Sequence, residues 1–327
     1  MIRVLSKKPV CLALQVSLLV GFALLFAGCI KAKTVVRVKN DGSGYILASA
    51  VFSKGAVAMY EAQMAEMRKQ MEAGGMAGMH MEMPEDPFYN EDALEAAAGM
   101  FGSAVKFVKA KRVDKDGARG SVTIYSFEDI NDVFINLDNM GANIEPSMGP
   151  GAHAQVAEKE EDAFEFAFKK GSPNKLEVVL PDYPDVEPLD LGKKDDKEKR
   201  VSSPEETAAM QQYRDMMMAA GNPYGFTGNE TPGEMAKAMF KDMEMSLSVE
   251  VVGKKVKSDA NHPHPEKDNR FILLELKMDK LVKRLDEDDM MSPFGMGGGS
   301  PAEFFASATN VPGVKVETSE KVKITFE

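Results

Sequence analysis

Tryptophan is missing altogether, and 327 residues contain only two cysteines and four histidines. Without Trp the chain lacks the stacking platform that sugar sites often use, which counts against a carbohydrate-binding module. The cysteines are Cys11 and Cys29, and Cys11 lies inside an apolar N-terminal run. A chain cut after that run keeps one thiol and can form no internal disulfide, so its core must hold without covalent cross-links. The histidines are His80, His153, His262 and His264. None sits in a nucleophile or zinc-helix pattern, and neither a nucleophile elbow nor a phosphate-binding glycine loop occurs. These absences predict no enzyme. Beyond residue 28 no stretch is apolar enough to span a bilayer, which takes about 20 residues. Basic residues are also in deficit, 40 against 51 acidic. Nucleic-acid binding needs clustered Lys and Arg, so this balance excludes nucleic acid as a partner.

What is present begins at the N-terminus. Arg3, Lys7 and Lys8 precede an uncharged apolar run from Pro9 to Phe26, and the segment closes on Leu25-Phe26-Ala27-Gly28-Cys29. A basic start, an apolar middle and small residues at a cut are the layout of an export signal. Residues 9–28 come near spanning length, but the Ala-Gly-Cys ending argues for cleavage rather than an uncleaved anchor. That ending resembles the lipobox of bacterial lipoproteins, with Phe26 where leucine is usual. The resemblance implies a signal peptide over residues 1–28, cleavage between Gly28 and Cys29, and a covalent lipid, palmitate among its chains, on Cys29; no other cofactor is expected. The mature chain, residues 29–327, carries 37 basic and 51 acidic residues, a net charge of −14. It is expected in the cell envelope, held to the membrane by lipid. Ile30 is not the aspartate that retains many such proteins at the inner membrane. In a two-membrane cell the expectation is therefore the outer membrane, facing the periplasm.

Along the mature chain the pattern predicts an α+β fold: antiparallel β-hairpins forming one or two sheets, with inserted helices. Ile30, Ala32, Thr34, Val36 and Val38 alternate with Lys31, Lys33, Arg37 and Lys39, the period of a half-buried strand. Asn40-Asp41-Gly42-Ser43-Gly44 turns it, and Tyr45 to Phe52 returns with apolar residues on both faces, as a central strand would. A helix is predicted over 56–71 and a shorter one after Asn90 as N-cap. A second hairpin spans 105–127 around Asp114-Lys115-Asp116-Gly117. Residues 139–161 read as a loop, and Phe164-Glu165-Phe166 as a strand paired with Leu176–Leu180. The charged, proline-containing stretch 181–203 is the best linker, dividing an N-terminal part, 29–180, from a C-terminal part, 204–327, with the alternative that both form one unit. Helices are expected at 204–220 and 231–243, strands at 247–252 and 271–276, short helices at 278–285 and 301–309, and one or two strands over 314–326.

Three segments together resemble the LppM-like lipoprotein domain. They are Cys29-Ile30-Lys31 leading into Asn40-Asp41-Gly42-Ser43-Gly44, then Val249 to Ala260 around Gly253-Lys254, and the closing Asn310 to Val316. Val252 stands where that family has proline and Asp259 where it has asparagine. The resemblance implies an envelope domain that handles a lipid or a partner protein, and it supplies no catalytic residues.

The sharpest chemical signal is a methionine-rich stretch. Met76, Met79, His80, Met81 and Met83 fall within eight residues, and thioethers with imidazole suit Cu(I). The bland alternative is that methionine is gap filler throughout this chain, which has 24 of them. His262-Pro263-His264 offers two imidazoles or simply a turn. The basic side of the first strand, Lys31, Lys33, Arg37 and Lys39, reads equally as a contact for lipid headgroups or as a solvated face. The reading that results is a lipid-anchored, non-enzymatic binding or structural module of the envelope; the rival is periplasmic Cu(I) binding through residues 76–83.

Overall fold

The computed structural model describes residues 30–73, 86–137, 163–186, 240–283 and 301–327, with Glu234, Lys237 and Ala238 as isolated helical positions. The signal segment with Gly28 and Cys29, the methionine-rich stretch 76–83, the loop 139–161, most of the linker and the helix predicted at 204–220 lie outside the described residues.

Among the described residues, thirteen strands fall into two sheets. The larger is built from β1 (Ile30–Val38), β2 (Gly44–Phe52), β3 (Lys106–Lys115), β4 (Ala118–Phe127), β8 (Glu244–Val251), β10 (Pro263–His264), β11 (Lys267–Lys277) and β12 (Val314–Val316). Its order is β10-β11-β8-β1-β2-β4-β3, with β12 also pairing β11. The smaller, ordered β5-β6-β7-β13-β9, uses β5 (Phe134–Asn136), β6 (Ala163–Lys169), β7 (Asn174–Val179), β9 (Lys257–Ser258) and β13 (Lys321–Phe326). Helices are α1 (Lys54–Ala73), α2 (Glu91–Ala96), α3 (Met278–Leu281) and α4 (Pro301–Ser307). Mixed α and β structure in two sheets thus agrees with the expected class.

Local chemistry explains the elements that matter most. The turn after β1 is closed by Asp41, whose carboxylate accepts from the Ser43 amide at 3.0 Å and hydroxyl at 2.7 Å, while Gly42 takes φ +89°. Asn90 caps α2 by accepting from the Ala93 amide at 3.1 Å. β1 buries its even-numbered residues and exposes Lys31, Lys33 and Arg37, as period-two alternation requires.

One pairing departs from the hairpin pattern. β1 runs antiparallel to β2 but parallel to β8, Lys31 opposite Glu244 through Val38 opposite Val251. A parallel pair needs a long crossover, here residues 39–243, so its partners carry no local sequence signal. Both sheets therefore combine strands from before and after the linker: β8 joins β1, and β13 joins β7.

The two sheets face each other across one core. Val36, Val38, Ile46, Tyr125 and Leu247 from the larger meet Phe164, Phe166, Leu176, Val178, Ile324 and Phe326 from the smaller. The same inner face continues beyond the smaller sheet, where α1 covers Ile30, Ala32 and Phe52 with Ala56, Val57 and Tyr60. Phe88 closes that end edge-on to Phe52 and Tyr60, with ring centroids 5.1 and 5.2 Å away. Such aromatic pairs add about 0.5–1.5 kcal/mol each beyond burial.

Close packing of β2 on β4 rests on Gly120. A Cβ there would lie 2.0 Å from the Ala50 carbonyl oxygen, a backbone atom held in the ladder. Gly120→Ala is expected to destabilise the fold by about 1–3 kcal/mol, as other overpacking changes do, read as a lowered urea midpoint in circular dichroism. An unchanged midpoint would show that these strands are not so tightly joined.

Candidate functional site

Strand parity sorts the larger sheet into two faces. The even-numbered residues of β1 and β2 point to the core. The odd-numbered ones share the opposite, outer face, and the pairing registers extend it across the sheet. One row runs Val35, Leu47, Ile124, Lys109; the next Lys33, Ser49, Val122, Lys111; then Lys31, Val51, Gly120, Val113. Arg37, Tyr45, Ser126 and Lys106 form the row on the other side. A bulge between Phe107 and Lys109 inserts Val108, 46% exposed, and turns the lysines of β3 outward.

The result is a half-buried apolar centre, Val35, Leu47, Val51, Val122 and Ile124, between two basic columns. One column is on β1 and the other on β3, three strand spacings or about 14 Å apart. None of these five apolar residues belongs to either core cluster. On the far side of β1 the face continues with Glu244 and Glu250 on β8, Arg270, Glu275 and Lys277 on β11, and Lys315 on β12. With Lys115 of β3, ten basic side chains share this face with four acidic ones, Glu244, Glu250, Glu275 and Glu128, the last paired to Lys106 at 3.0 Å, an excess of six positive charges on a chain whose net charge is −11.

The acids on this face are all committed. Glu250, its side chain only 4% exposed, takes Arg37 at 3.0 Å, Arg270 through Nε at 2.8 Å and Lys267 at 3.4 Å. Burial alone would raise its pKa, but the Arg270 hydrogen bond and the charges of Arg270, Arg37 and Lys267 outweigh it and hold the carboxyl below its ordinary range. Glu275 lies between Lys277 and Lys315, each 2.8 Å away, and is held low in the same way against its own burial. Glu244 pairs Lys33 at 3.0 Å.

The four basic residues picked out on β1 and its turn therefore divide. Arg37 is tied to Glu250 and Lys33 to Glu244. The Lys39 ammonium lies 4.6 Å from the centre of the Tyr45 ring. Lys31 has no ion pair among the described residues, and the same holds for Lys109, Lys111 and Lys115 on β3. These β3 lysines were not singled out from sequence. The signal was there, Lys-Ala-Lys at alternate positions, but its place opposite β1 depends on which strands neighbour which.

The metal candidates separate too. Met76, Met79, His80, Met81 and Met83 lie outside the described residues. His262 has Nε2 3.2 Å from the Val316 carbonyl, and His264 accepts from the Glu266 amide at 3.2 Å through Nδ1. The two imidazoles thus serve the junction of β10, β11 and β12. No group of three or more His, Cys, Asp or Glu placed to hold a metal occurs among the described residues. Nor is any described helix long and apolar enough to cross a membrane.

Two outcomes are expected. Folding lowers the Glu250 pKa, so the stabilisation is complete above its ordinary value of 4.5 and is lost as pH falls through the lower folded value. Glu250→Gln should destabilise by about 1–3 kcal/mol at pH 7, the range for hydrogen bonds to charged groups. The gap to the parent should shrink as pH falls below 4.5 and through the lower folded value, where the parent carboxylate also protonates; a gap that does not change with pH in urea titrations would contradict this. Copper is tested separately: competition with a Cu(I) chelator should reveal no tight site in residues 30–327. Stoichiometric uptake that disappears when Met79, Met81 and Met83 become Leu would reverse this.

No protein-family model matches the chain, and no curated protein matches it. Among solved structures it is similar to the folded domain of LppM from Mycobacterium tuberculosis, determined by NMR, at 11% sequence identity and a TM-score of 0.27. The match covers 77% of this chain and 84% of that one. At this TM-score the likeness assigns neither fold nor function.

Proposed function

We propose that this chain is a cell-envelope lipoprotein, anchored through acyl chains on Cys29 and acting as a non-enzymatic binding or structural module. The observation that carries the reading is the Leu25-Phe26-Ala27-Gly28-Cys29 ending of an uncharged apolar run, followed without a spacer by a strand that begins at Ile30. An export signal ending in cysteine is what acyl transfer requires. One short acyl chain binds a membrane only marginally, whereas each further buried methylene adds about 0.8 kcal/mol, so two or three chains make attachment effectively permanent. In a cell with two membranes the outer one, facing the periplasm, is the proposed location, because Ile30 is not a retaining aspartate.

The structural side of the proposal follows from the same short distance. Many lipoproteins carry a polar tether between lipid and domain. Here one peptide bond separates the acylated residue from a strand paired on both sides, so the anchor would hold the start of β1 at the bilayer surface. In such a module the two-sheet body serves as a scaffold, and its work is to present a surface to a lipid or to another envelope protein.

Cys29→Ala is the direct test. Expressed in a bacterium with radiolabelled palmitate, the parent should take up label and remain with membranes after a high-salt wash. The variant should take up none and stay unprocessed or soluble. Label on the variant, or a processed variant that still resists the wash, would show that Cys29 is not the anchor.

A further inference from the structure

We propose that the outer face of the larger sheet lies flat on an anionic lipid bilayer, its apolar centre toward the headgroup–acyl boundary and its two lysine columns on lipid phosphates. The proposal deepens the lipoprotein reading, because the anchor at Cys29 would set this face down beside the membrane, but the face itself stands on separate observations.

The first is charge segregation. A chain with net charge −11 carries an excess of six positive charges on one face. The acids there neutralise only their own neighbours: Glu250 serves Arg37, Arg270 and Lys267, Glu275 serves Lys277 and Lys315, Glu244 serves Lys33, and Glu128 serves Lys106. Lys31, Lys109, Lys111 and Lys115 keep their charge without an ion pair among the described residues. Lysines on an edge strand such as β3 discourage edge-to-edge pairing, but these project from the sheet face, in register with β1 across β2 and β4.

The second is the ground between the columns. Val35, Leu47, Val51, Val122 and Ile124 form a continuous stripe that neither core cluster includes. Lysine stems of four methylenes can lie along such a stripe while the ammonium groups stay at the polar level. Apolar area combined with flanking cations is the composition of a surface that rests in a bilayer interface, where each Lys or Arg near an anionic surface adds about 1 kcal/mol. The third is position. Lys31 is two residues from Cys29, at the end of β1 where the acyl chains would enter the membrane, so the anchor would sit at one end of this face.

The test uses residues 29–327 with Cys29→Ser, which removes the acyl site and leaves a cysteine-free chain. Binding in this form is independent of lipidation, so failure here and failure of the lipoprotein reading are distinguishable. The protein is titrated at low salt with vesicles of equal parts phosphatidylglycerol and phosphatidylcholine, and with vesicles of phosphatidylcholine alone. The expected result is binding to the anionic vesicles only. Neutralising Lys109 and Lys111 together as Gln should weaken that binding about 30-fold, the effect of two headgroup charges. Lys321→Gln with Lys323→Gln, the same charge change on the smaller sheet, should leave it unchanged. A polarity-sensitive dye on Ser49→Cys, in the middle of the face, should shift to the blue on anionic vesicles, while the same dye on Lys175→Cys in β7 should not. Equal losses from both lysine pairs, a shift at Lys175 as large as at Ser49, or no binding to anionic vesicles would each overturn the proposal; the last would return the face to a protein partner.

Discussion

Strand β1 gives its backbone to β2 on one side and to β8 on the other, and the rest of the larger sheet is laid out from it. Because both edges are taken, its alternation has one outcome only. A shift of one residue would send Ile30, Ala32, Val36 and Val38 to the outside and drive Lys31, Lys33 and Arg37 into the core, where unpaired charges are far too costly. The two-sided pairing therefore sets the inner face against which the smaller sheet and α1 pack, and it equally sets the outer one. The same strand begins at Ile30, next to the proposed lipid site, so under that proposal the strand that organises the core would also set how the domain meets the membrane.

The ion pairs on the outer face belong to this arrangement. Arg37 of β1 reaches Glu250 of β8 across the parallel pair, and Arg270 of β11 reaches the same carboxylate from the next strand. Exposed pairs contribute little, about 0–1 kcal/mol. Glu250 is different because it is buried and must keep its partners. It ties three consecutive strands together where β1 approaches its turn. The face thus divides by function of its charges: the β8–β11 half is a set of closed ion pairs, and the β1–β3 half is an apolar stripe along whose margins Lys31, Lys109, Lys111 and Lys115 have no ion pair among the described residues.

Much of the local structure could be read in advance. The alternation of β1, the Asp41–Gly42–Ser43 turn, the cap at Asn90 and the Phe164–Phe166 strand all depend on residues within a few positions of one another, and each occurs in the fold as read. Short elements without a periodic signal were not legible. β5 has three residues, and β9 and β10 have two each; they exist because longer partners offer them a free edge. The C-terminal stretch shows the same limit. Residues 314–326 read as one or two strands; they form two, and those go to different sheets, β12 beside β11 and β13 beside β7. Nothing local distinguishes them, since Val-Lys-Val and Val-Lys-Ile present the same pattern.

The candidate site divides along the same line. Sequence alone determined the signal-like run, the cysteine at its end, the acidic balance, and which side of the first strand is basic, because each is a matter of composition or of period-two spacing in a continuous segment. It also marked Met76 to Met83 as chemically unusual. Only the tertiary structure decided that the lysines of β3 stand on the same face as those of β1, that Arg37 is occupied by a glutamate more than two hundred residues away, and that five apolar side chains fill the space between. The physical reason is that a strand carries the information for which of its residues share a side, but not for which strand will be its neighbour. That choice is made by the core as a whole, through the joint burial of Val36, Ile46, Tyr125, Leu247 and the phenylalanines of the smaller sheet. The outer face is composed by whatever strand order the inner face selects.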